Sequence, residues 1–114
     1  MLHTLTIKTQ LKFYYDIITF DKSTLYKPEM VLVLKVHGNL PEFGILRNIF
    51  VMEDVVYFLV SATLTLNFNE KYQAYEIKDN DQLVVINYND LCDNFPLVKC
   101  LKDDVLFVIL KHVL

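Results

Sequence analysis

The longest regular pattern in the sequence is an alternation of apolar residues over positions 55–68. The even positions are all apolar: Val56, Phe58, Val60, Ala62, Leu64, Leu66 and Phe68. A period of two residues is the geometry of a β-strand, because successive side chains point to opposite faces. A strand of about 14 residues spans roughly 45 Å, which is longer than a compact domain of this size is wide. We therefore predict a strand that bends to serve two sheets and directs its even-numbered side chains into the core.

The odd-numbered face of the same strand changes character along its length. Val55, Tyr57 and Leu59 are apolar, and the face then continues with Ser61 and Thr63. The apolar half needs a cover, because exposed apolar surface of this kind is uncommon in monomeric proteins. Either a second layer of the core or a binding partner is expected to cover it.

The composition indicates an all-β fold. The 114 residues include 7 Tyr and 8 Phe, and β-branched residues are frequent, whereas there are only 2 Ala. Aromatic and β-branched side chains fit a pleated sheet, and alanine is the best helix former. We predict one β-rich domain over residues 1–114, built as a small bent-strand barrel or sandwich of the Src-homology-like kind.

Turn residues divide the rest of the chain into short strands. Gly38, Pro41 and the acidic pair Glu53 and Asp54 are the clearest breaks, and the acidic pair predicts a hairpin turn. Asn89 is a plausible cap for one helical turn at residues 89–94, which would end before Pro96. The predicted strands are residues 4–10, 12–20, 30–36, 44–52, 55–68, 72–78, 83–88 and 105–113, with a turn at residues 79–81 between two of them.

Several classes of function are disfavoured. The net charge is −3 and the basic residues are scattered, which argues against autonomous nucleic-acid binding. No apolar run is long enough to form a transmembrane helix. Cys92 lies between two aspartates, so neighbouring charge would raise its pKa, and Cys100 lies near lysines but also fits an ordinary strand position. The histidines and cysteines lack the paired spacing of a zinc site, so we predict no metal, no cofactor and no catalytic residue.

The aromatic residues offer one specific alternative. Tyr57, Phe68, Tyr72 and Tyr75 flank a single strand, turn and strand, and small barrels use such rings as cages for methylated lysine or as peptide grooves. The competing interpretation is packing, because a tyrosine on a strand commonly buries its ring and leaves its hydroxyl in water. Packing is favoured over a cage.

Five segments together resemble a known domain. They are LYKPEMVLVLKVHGNLPEFGILRNIFV, VYFLV, FNEKYQAYEI, VINYNDLCDNFPL and VILKHVL. Over residues 25–114 the chain resembles a domain of uncharacterised animal proteins associated with, or derived from, transposable elements. The most specific features are Phe43 followed by Gly44 and the later pair Tyr72 and Tyr75, and Gln73 stands where that domain commonly has a histidine. The order of elements also resembles a bromo-adjacent-homology or Src-homology barrel, and this resemblance implies protein recognition without any catalytic residue.

The sequence therefore predicts a nonenzymatic interaction module inside the cell, nuclear or cytoplasmic. It would bind a protein partner, or another copy of itself as a homo-oligomer, through a sheet edge or an apolar groove. The candidate partner-binding residues are Tyr57, Leu59, Tyr72, Tyr75, Phe107 and Ile109. The alternative is a chromatin-associated module of a transposon-derived protein that reads a histone peptide or nucleic acid, although the negative charge disfavours direct DNA binding.

Overall fold

The computed structural model is built almost entirely of antiparallel strands, and it describes residues 2–3, 13–15, 18–20, 24–36, 40–91 and 93–109. One 3₁₀ turn at Tyr88–Asp90 interrupts the strands. The strands are β1 (Leu2–His3), β2 (Phe13–Tyr15), β3 (Ile18–Phe20), β4 (Thr24–Tyr26), β5 (Val31–Lys35), β6 (Glu42–Met52), β7 (Val55–Asn69), β8 (Ala74–Asn87), β9 (Asp93–Lys102) and β10 (Val105–Ile109). The predicted all-β fold is confirmed.

Six of these strands pair in a closed, barrel-like ring. The order around the ring is β5, β6, β7, β8, β10 and β9, and β9 pairs with β5 to complete it. The long strands β6 and β8 extend beyond the ring, where β2 pairs with β6 and β1 pairs with β8. β3 and β4 form a separate two-stranded sheet. The long strands are thus shared between the ring and its extension within one sheet, and not between two sheets as predicted.

Two bulges bend the long strands at the same level. Relative to β7, strand β6 carries one extra residue between Leu46 and Asn48, which is Arg47. On the other side of β7, strand β8 carries two extra residues, Asn80 and Asp81, where Ala62 and Thr63 take their partners. Extra residues in one strand of a pair bend that strand and increase its twist. The bends therefore arise on both neighbours of β7, where the ring gives way to the extension.

The turn predicted at residues 79–81 is wrong, because these residues form a bulge within β8. The chain does not reverse there, and residues 72–78 and 83–88 belong largely to one continuous strand. Asp79 accepts a hydrogen bond at Oδ1 from the backbone N–H of Asp81, at 2.9 Å, and Asp81 has a positive φ of 55°. Residues of this type favour local turns in general, and here the local turn is a bulge within a strand.

Three other boundaries differ from the prediction. Residues 12–20, predicted as one strand, contain β2 and β3, which pair in different sheets. The helical turn lies at Tyr88–Asp90 and not at residues 89–94, because β9 already begins at Asp93. Pro96 lies within β9, where the pairing with β5 shifts register, so its missing N–H does not end the strand. The strand predicted at residues 4–10 and the end of the one predicted at 105–113 lie outside the described residues.

The long strands are buried on both faces where they bend. An inner core lies within the ring, and an outer core lies on the opposite face of β5, β6 and β7. The inner core consists of Val31, Val33, Phe43, Ile45, Ile77, Leu97 and Val108. The outer core consists of Tyr26, Leu32, Leu46, Ile49, Phe58, Val60 and Ile86. The inner and outer cores together bury residues 43–46 of β6. In β7, Phe58 and Val60 lie in the outer core, and Leu59 on the opposite face lies in a smaller cluster with Phe50 and Val85.

The face of β7 that is buried changes along the strand. Phe58 and Val60 are fully buried on the even face, but Leu64 is 54% exposed and Leu66 is 46% exposed. Beyond the bend the odd face turns to the ring, where Thr63 Oγ1 donates to the backbone carbonyl of Phe43 at 2.9 Å. The prediction that the whole even face lies in the core is therefore wrong at Leu64 and Leu66, because the outer core ends where the strand bends.

Gly44 fits a close approach between strands. A Cβ atom at this position would lie 3.1 Å from Val60 Cγ2 and 3.2 Å from Leu34 Cδ1. Such contacts are tighter than ordinary packing, and β-branched Val60 has little freedom to move away. The glycine thus lets β6 pack directly against the outer core.

The hairpin turn between β6 and β7 has a backbone conformation that a substitution can test. Both residues of the β6–β7 turn have positive φ, 51° at Glu53 and 64° at Asp54, which fits a type I′ turn. Asparagine followed by glycine suits this turn better, because these residues tolerate positive φ. We expect the double substitution Glu53→Asn and Asp54→Gly to raise the free energy of unfolding by about 0.5–1 kcal/mol. Urea denaturation would measure this, and a loss of stability would contradict the assigned turn.

Candidate functional site

The outer surface of the β9 and β10 pair carries a continuous group of apolar side chains. Ile109 pairs with Val98 and Phe107 pairs with Cys100, so these four side chains share one face of the sheet. Tyr72, in the turn before β8, adds its ring to this face and packs edge-on against Phe107 at a centroid distance of 5.5 Å. We call these five residues the β9–β10 face.

The β9–β10 face is open to solvent at both ends. Val98 is 45% exposed, Ile109 is 42% exposed and Tyr72 is 38% exposed, whereas Phe107 beneath them is only 8% exposed. Adjacent exposed aliphatic side chains over a buried aromatic ring are typical of a contact surface. Leu64 and Leu66 are also exposed, but the β7 position of Leu64 pairs with that of Lys78, which interrupts an apolar surface there.

Two lysines surround Tyr72. Lys102 Nζ donates to the Tyr72 hydroxyl at 2.9 Å and lies 4.3 Å from the centre of its ring, and Lys71 Nζ lies 5.4 Å from the same centre. The hydrogen bond from Lys102 and then the positive charges of Lys102 and Lys71 lower the pKa of Tyr72. Two ammonium groups therefore lie at one end of the β9–β10 face, which we call the cationic end; Glu70, Asp103 and Asp104 are their neighbours in sequence.

The structure brings together three of the six predicted partner-binding residues. Tyr72, Phe107 and Ile109 lie on the β9–β10 face. Tyr75 packs instead against Phe43 of the inner core. Whether any of these residues contacts a partner stays a prediction.

Tyr57 and Leu59 lie elsewhere, on the odd face of β7 next to Phe50 and Val85. Leu59 is 7% exposed and belongs to a small buried cluster with those two residues. The Tyr57 ring stacks on Phe50 at a centroid distance of 5.6 Å. Of the two covers expected for this apolar half, the structure shows the protein's own core over Leu59.

Val98 and Cys100 were not predicted as members of the site. The proline at position 96 indicated the end of a helical turn, so no strand was expected at Val98 and no partner for the final strand was identified. Residues 97–102, LVKCLK, show no regular alternation of apolar and polar residues, so the sequence carried no clear signal for this strand.

The four rings of the predicted cage lie in three places. Phe68 packs edge-on against Tyr75 at 4.9 Å, whereas Tyr72 contacts Phe107 and Tyr57 contacts Phe50. A cage for a methylated ammonium requires several ring faces that converge on one point. These contacts support the packing interpretation that the sequence favoured.

A second polar cluster connects the two bulges. Arg47 donates from Nη1 to Glu29 Oε2 and from Nη2 to Asp79 Oδ2, each at 2.6 Å. Asp79 also accepts from the hydroxyl of Ser61, which is 2% exposed, and Lys99 Nζ lies 3.1 Å from Glu29 Oε1. We call these five residues the bulge brace. Its two positive and two negative charges balance, so it joins strands without presenting a net charge to a ligand.

The pKa values of the two carboxyl groups in the bulge brace are lowered. Burial alone would raise the pKa of Asp79, but the hydrogen bonds from Ser61 and the Asp81 N–H and the charge of Arg47 reverse this effect. Burial is likewise outweighed at Glu29, where hydrogen bonds from Lys99 and Arg47 lower the pKa. The ionised forms are therefore favoured in the folded protein.

This shift predicts a dependence of stability on pH. A carboxyl group with a lowered pKa in the folded state stabilises the protein above its unfolded pKa near 4, and this contribution is lost as the pH falls through the folded pKa. We expect the Arg47→Met variant to be less stable than the wild type at pH 7 by about 1–2 kcal/mol, and the difference to shrink by pH 3. Denaturant titrations at both pH values would test this, and a difference that stays constant would contradict it.

The described part of the chain contains no group of three or more histidine, cysteine or acidic residues placed to hold a metal ion. It also contains no helix of the length and apolarity needed to cross a membrane. Cys92, His37 and His112, which were considered for zinc or thiol chemistry, lie outside the described residues.

Comparisons of the chain with protein-family models, curated proteins and solved structures find no match. The resemblance to a transposable-element-associated domain therefore stays a prediction. The β9–β10 face and the bulge brace are interpreted from their own geometry. Of the two, the β9–β10 face is the one that presents unused surface to another molecule.

Proposed function

We propose that this protein is a nonenzymatic interaction module that binds a protein partner, or another copy of itself, through the β9–β10 face. The observation that carries the proposal is the directly facing pair Val98 and Ile109, both more than two-fifths exposed at one end of an apolar face. Burial of these side chains by a partner would remove apolar surface from water, which is the main favourable term in protein association.

The pairing of β10 favours contact with the face over addition of a strand to β10. Over Leu106–Ile109, β10 pairs with β8 on one side and with β9 on the other, so it presents no free edge. Strand addition needs a row of unpaired backbone groups. A partner would therefore contact side chains, with Phe107 and Tyr72 as the aromatic anchors.

Two observations support the nonenzymatic and intracellular parts of the proposal. The charged groups of the bulge brace bond to one another, which supports a structural role for them. Cys100 is a free, exposed thiol on the β9–β10 face, and exposed free thiols are more common in reducing compartments. We therefore place the protein in the nucleus or cytoplasm.

Charge placed on the β9–β10 face tests the proposal. We expect Val98→Lys combined with Ile109→Lys to weaken association at least tenfold, because two lysines cannot be buried against an apolar partner without a large desolvation cost. Both side chains are exposed, so the free energy of unfolding is expected to change by less than about 1 kcal/mol. Light scattering at micromolar concentration would report self-association, and quantitative affinity isolation would report a protein partner.

A matched control is Leu64→Lys combined with Leu66→Lys. These leucines are at least as exposed as Val98 and Ile109 but lie on β7, outside the β9–β10 face. The control is expected to bind as the wild type does. Equal loss in both double variants, or no loss in either, would refute the assignment of binding to this face.

A further inference from the structure

We infer that the β9–β10 face is built for an extended peptide segment of a partner that carries an acidic residue beside apolar residues. This inference rests on the proposed function and specifies the chemistry of the partner. It follows from the order of groups along the face, which runs from an aliphatic end to a cationic end.

The two ends are set by the register of β9 and β10. Val98 and Ile109 form one pair, Cys100 and Phe107 form the next pair on this face, and Lys102 pairs with Val105 beyond them. Lys102 lies four positions after Val98 along β9, a distance of roughly 13 Å at ~3.3 Å per residue. An extended peptide of about five residues would therefore span both ends.

The two lysines at the cationic end are not paired with a carboxylate of any described residue. In the described part of the chain, Arg47, Lys35 and Lys99 each lie within 4.0 Å of a carboxylate oxygen. Lys71 and Lys102 instead approach the ring of Tyr72, and neither forms such an ion pair with a described residue. Two ammonium groups beside one tyrosine can bind a carboxylate without first breaking an ion pair.

Nearby acids limit where that carboxylate can lie. Glu76 of β8 is paired with Phe107, on the side of the face away from β9. Asp103 lies in the turn after Lys102 and is close enough to oppose the lowering of the Tyr72 pKa. Repulsion from these two acids directs an incoming carboxylate to the space between Lys71 and Lys102, over the edge of Tyr72.

Selection of peptides from a random twelve-residue phage library tests the inference. The wild-type protein is expected to enrich sequences with Asp or Glu about four positions from Val, Ile, Leu or Phe. In fluorescence anisotropy with a selected peptide, Lys71→Gln with Lys102→Gln is expected to weaken binding about tenfold. Lys71→Arg with Lys102→Arg is expected to retain most of the affinity, and binding by the wild type should weaken as salt is raised.

Three outcomes separate the inference from the proposed function. Enriched peptides that lack acidic residues, but whose binding is lost in Val98→Lys with Ile109→Lys, would overturn the acidic-segment inference and leave the interaction face in place. Peptides whose binding is unaffected by that double variant would overturn both. If no peptide is enriched relative to a control selection without protein, the acidic-segment inference is overturned. The proposed function would still be decided by its own tests, light scattering and affinity isolation.

Discussion

Substitution of Phe58 by alanine is expected to lower the free energy of unfolding by about 3–5 kcal/mol, the largest effect of any change considered for this protein. The Phe58 side chain is fully buried in the outer core. Its ring lies 5.1 Å from that of Tyr26 and 6.1 Å from that of Tyr88, measured between centroids. Alanine would leave a cavity beside these rings, because the surrounding structure relaxes only in part after a large side chain is removed. Urea denaturation followed by tyrosine fluorescence or circular dichroism would measure the loss.

The matched control for Phe58 lies six residues along the same face of the same strand. Leu64 belongs to the even-numbered apolar alternation, but it is 54% exposed because the strand has passed the bend. We expect Leu64→Ala to change the free energy of unfolding by less than about 1 kcal/mol. A similar loss at both positions would mean that the even face is buried along its whole length, which would contradict the bend at the two bulges.

Substitution of Asp79 by alanine is expected to cost about 1–3 kcal/mol. The change removes the acceptor of the Ser61 hydroxyl, which is buried, and one of the two carboxylates that pair with Arg47. A buried hydroxyl without a partner retains its full desolvation penalty. The β8 bulge also loses the hydrogen bond from the Asp81 N–H.

A double-mutant cycle separates these contributions. Ser61→Ala removes the hydroxyl that Asp79→Ala leaves without an acceptor, so the double variant is expected to be more stable than the sum of the single changes predicts, by about 0.5–1.5 kcal/mol. Glu70→Ala serves as a control for the loss of an acidic side chain, since Glu70 is exposed, and it should be nearly neutral. Strict additivity of Asp79→Ala and Ser61→Ala would show that the two side chains do not interact.

The fold class could be predicted from the sequence because periodicity and composition indicate the same structure. The alternation over residues 55–68 predicted a long strand, and β7 occupies Val55–Asn69. Glu53 and Asp54 were predicted to form a hairpin turn, and Met52 pairs with Val55 across it. Such features are local, so a single stretch of sequence contains the information that they require.

The bulges could not be predicted because they depend on residues distant in sequence. Asp79, Asn80 and Asp81 form a typical turn sequence, and only the partners of Asp79 distinguish a bulge from a turn. Those partners are Ser61 and Arg47, which lie 18 and 32 residues away. The face of β7 that is buried depends in turn on these bulges, which explains why the exposure of Leu64 and Leu66 was mispredicted.

Three of the five residues of the β9–β10 face were predicted from the sequence for the same reason. Phe107 and Ile109 lie in a strongly apolar final strand, and Tyr72 precedes a strand, so each was selected on local grounds. Val98 and Cys100 join them only through the register between β9 and β10. A surface to which two paired strands contribute can be predicted only when both strands and their register are known.

The apolar stretch from Leu40 to Val60 illustrates how the parts fit together. Its residues 43–46 and 58–60 are buried. Phe43 and Ile45 lie in the inner core, Leu59 lies in the cluster with Phe50 and Val85, and Leu46, Phe58 and Val60 lie in the outer core. These buried side chains are therefore not available to contact a partner. The exposed apolar group proposed to contact a partner lies on other strands of the ring, at the β9–β10 face.

Photo-crosslinking from Cys100 tests the central claim, that the β9–β10 face contacts a protein partner or a second copy. Cys100 is exposed at the centre of this face, and a Cys92→Ser background leaves it as the single thiol for a benzophenone label. Irradiation in an extract of the native cells, or of the purified protein at micromolar concentration, is expected to give a defined adduct. The adduct should be absent after Val98→Lys with Ile109→Lys and absent when the label is placed at exposed Asn48 through Asn48→Cys with Cys100→Ser. Adducts of equal yield from both label positions, or none from Cys100 in either setting, would contradict the claim.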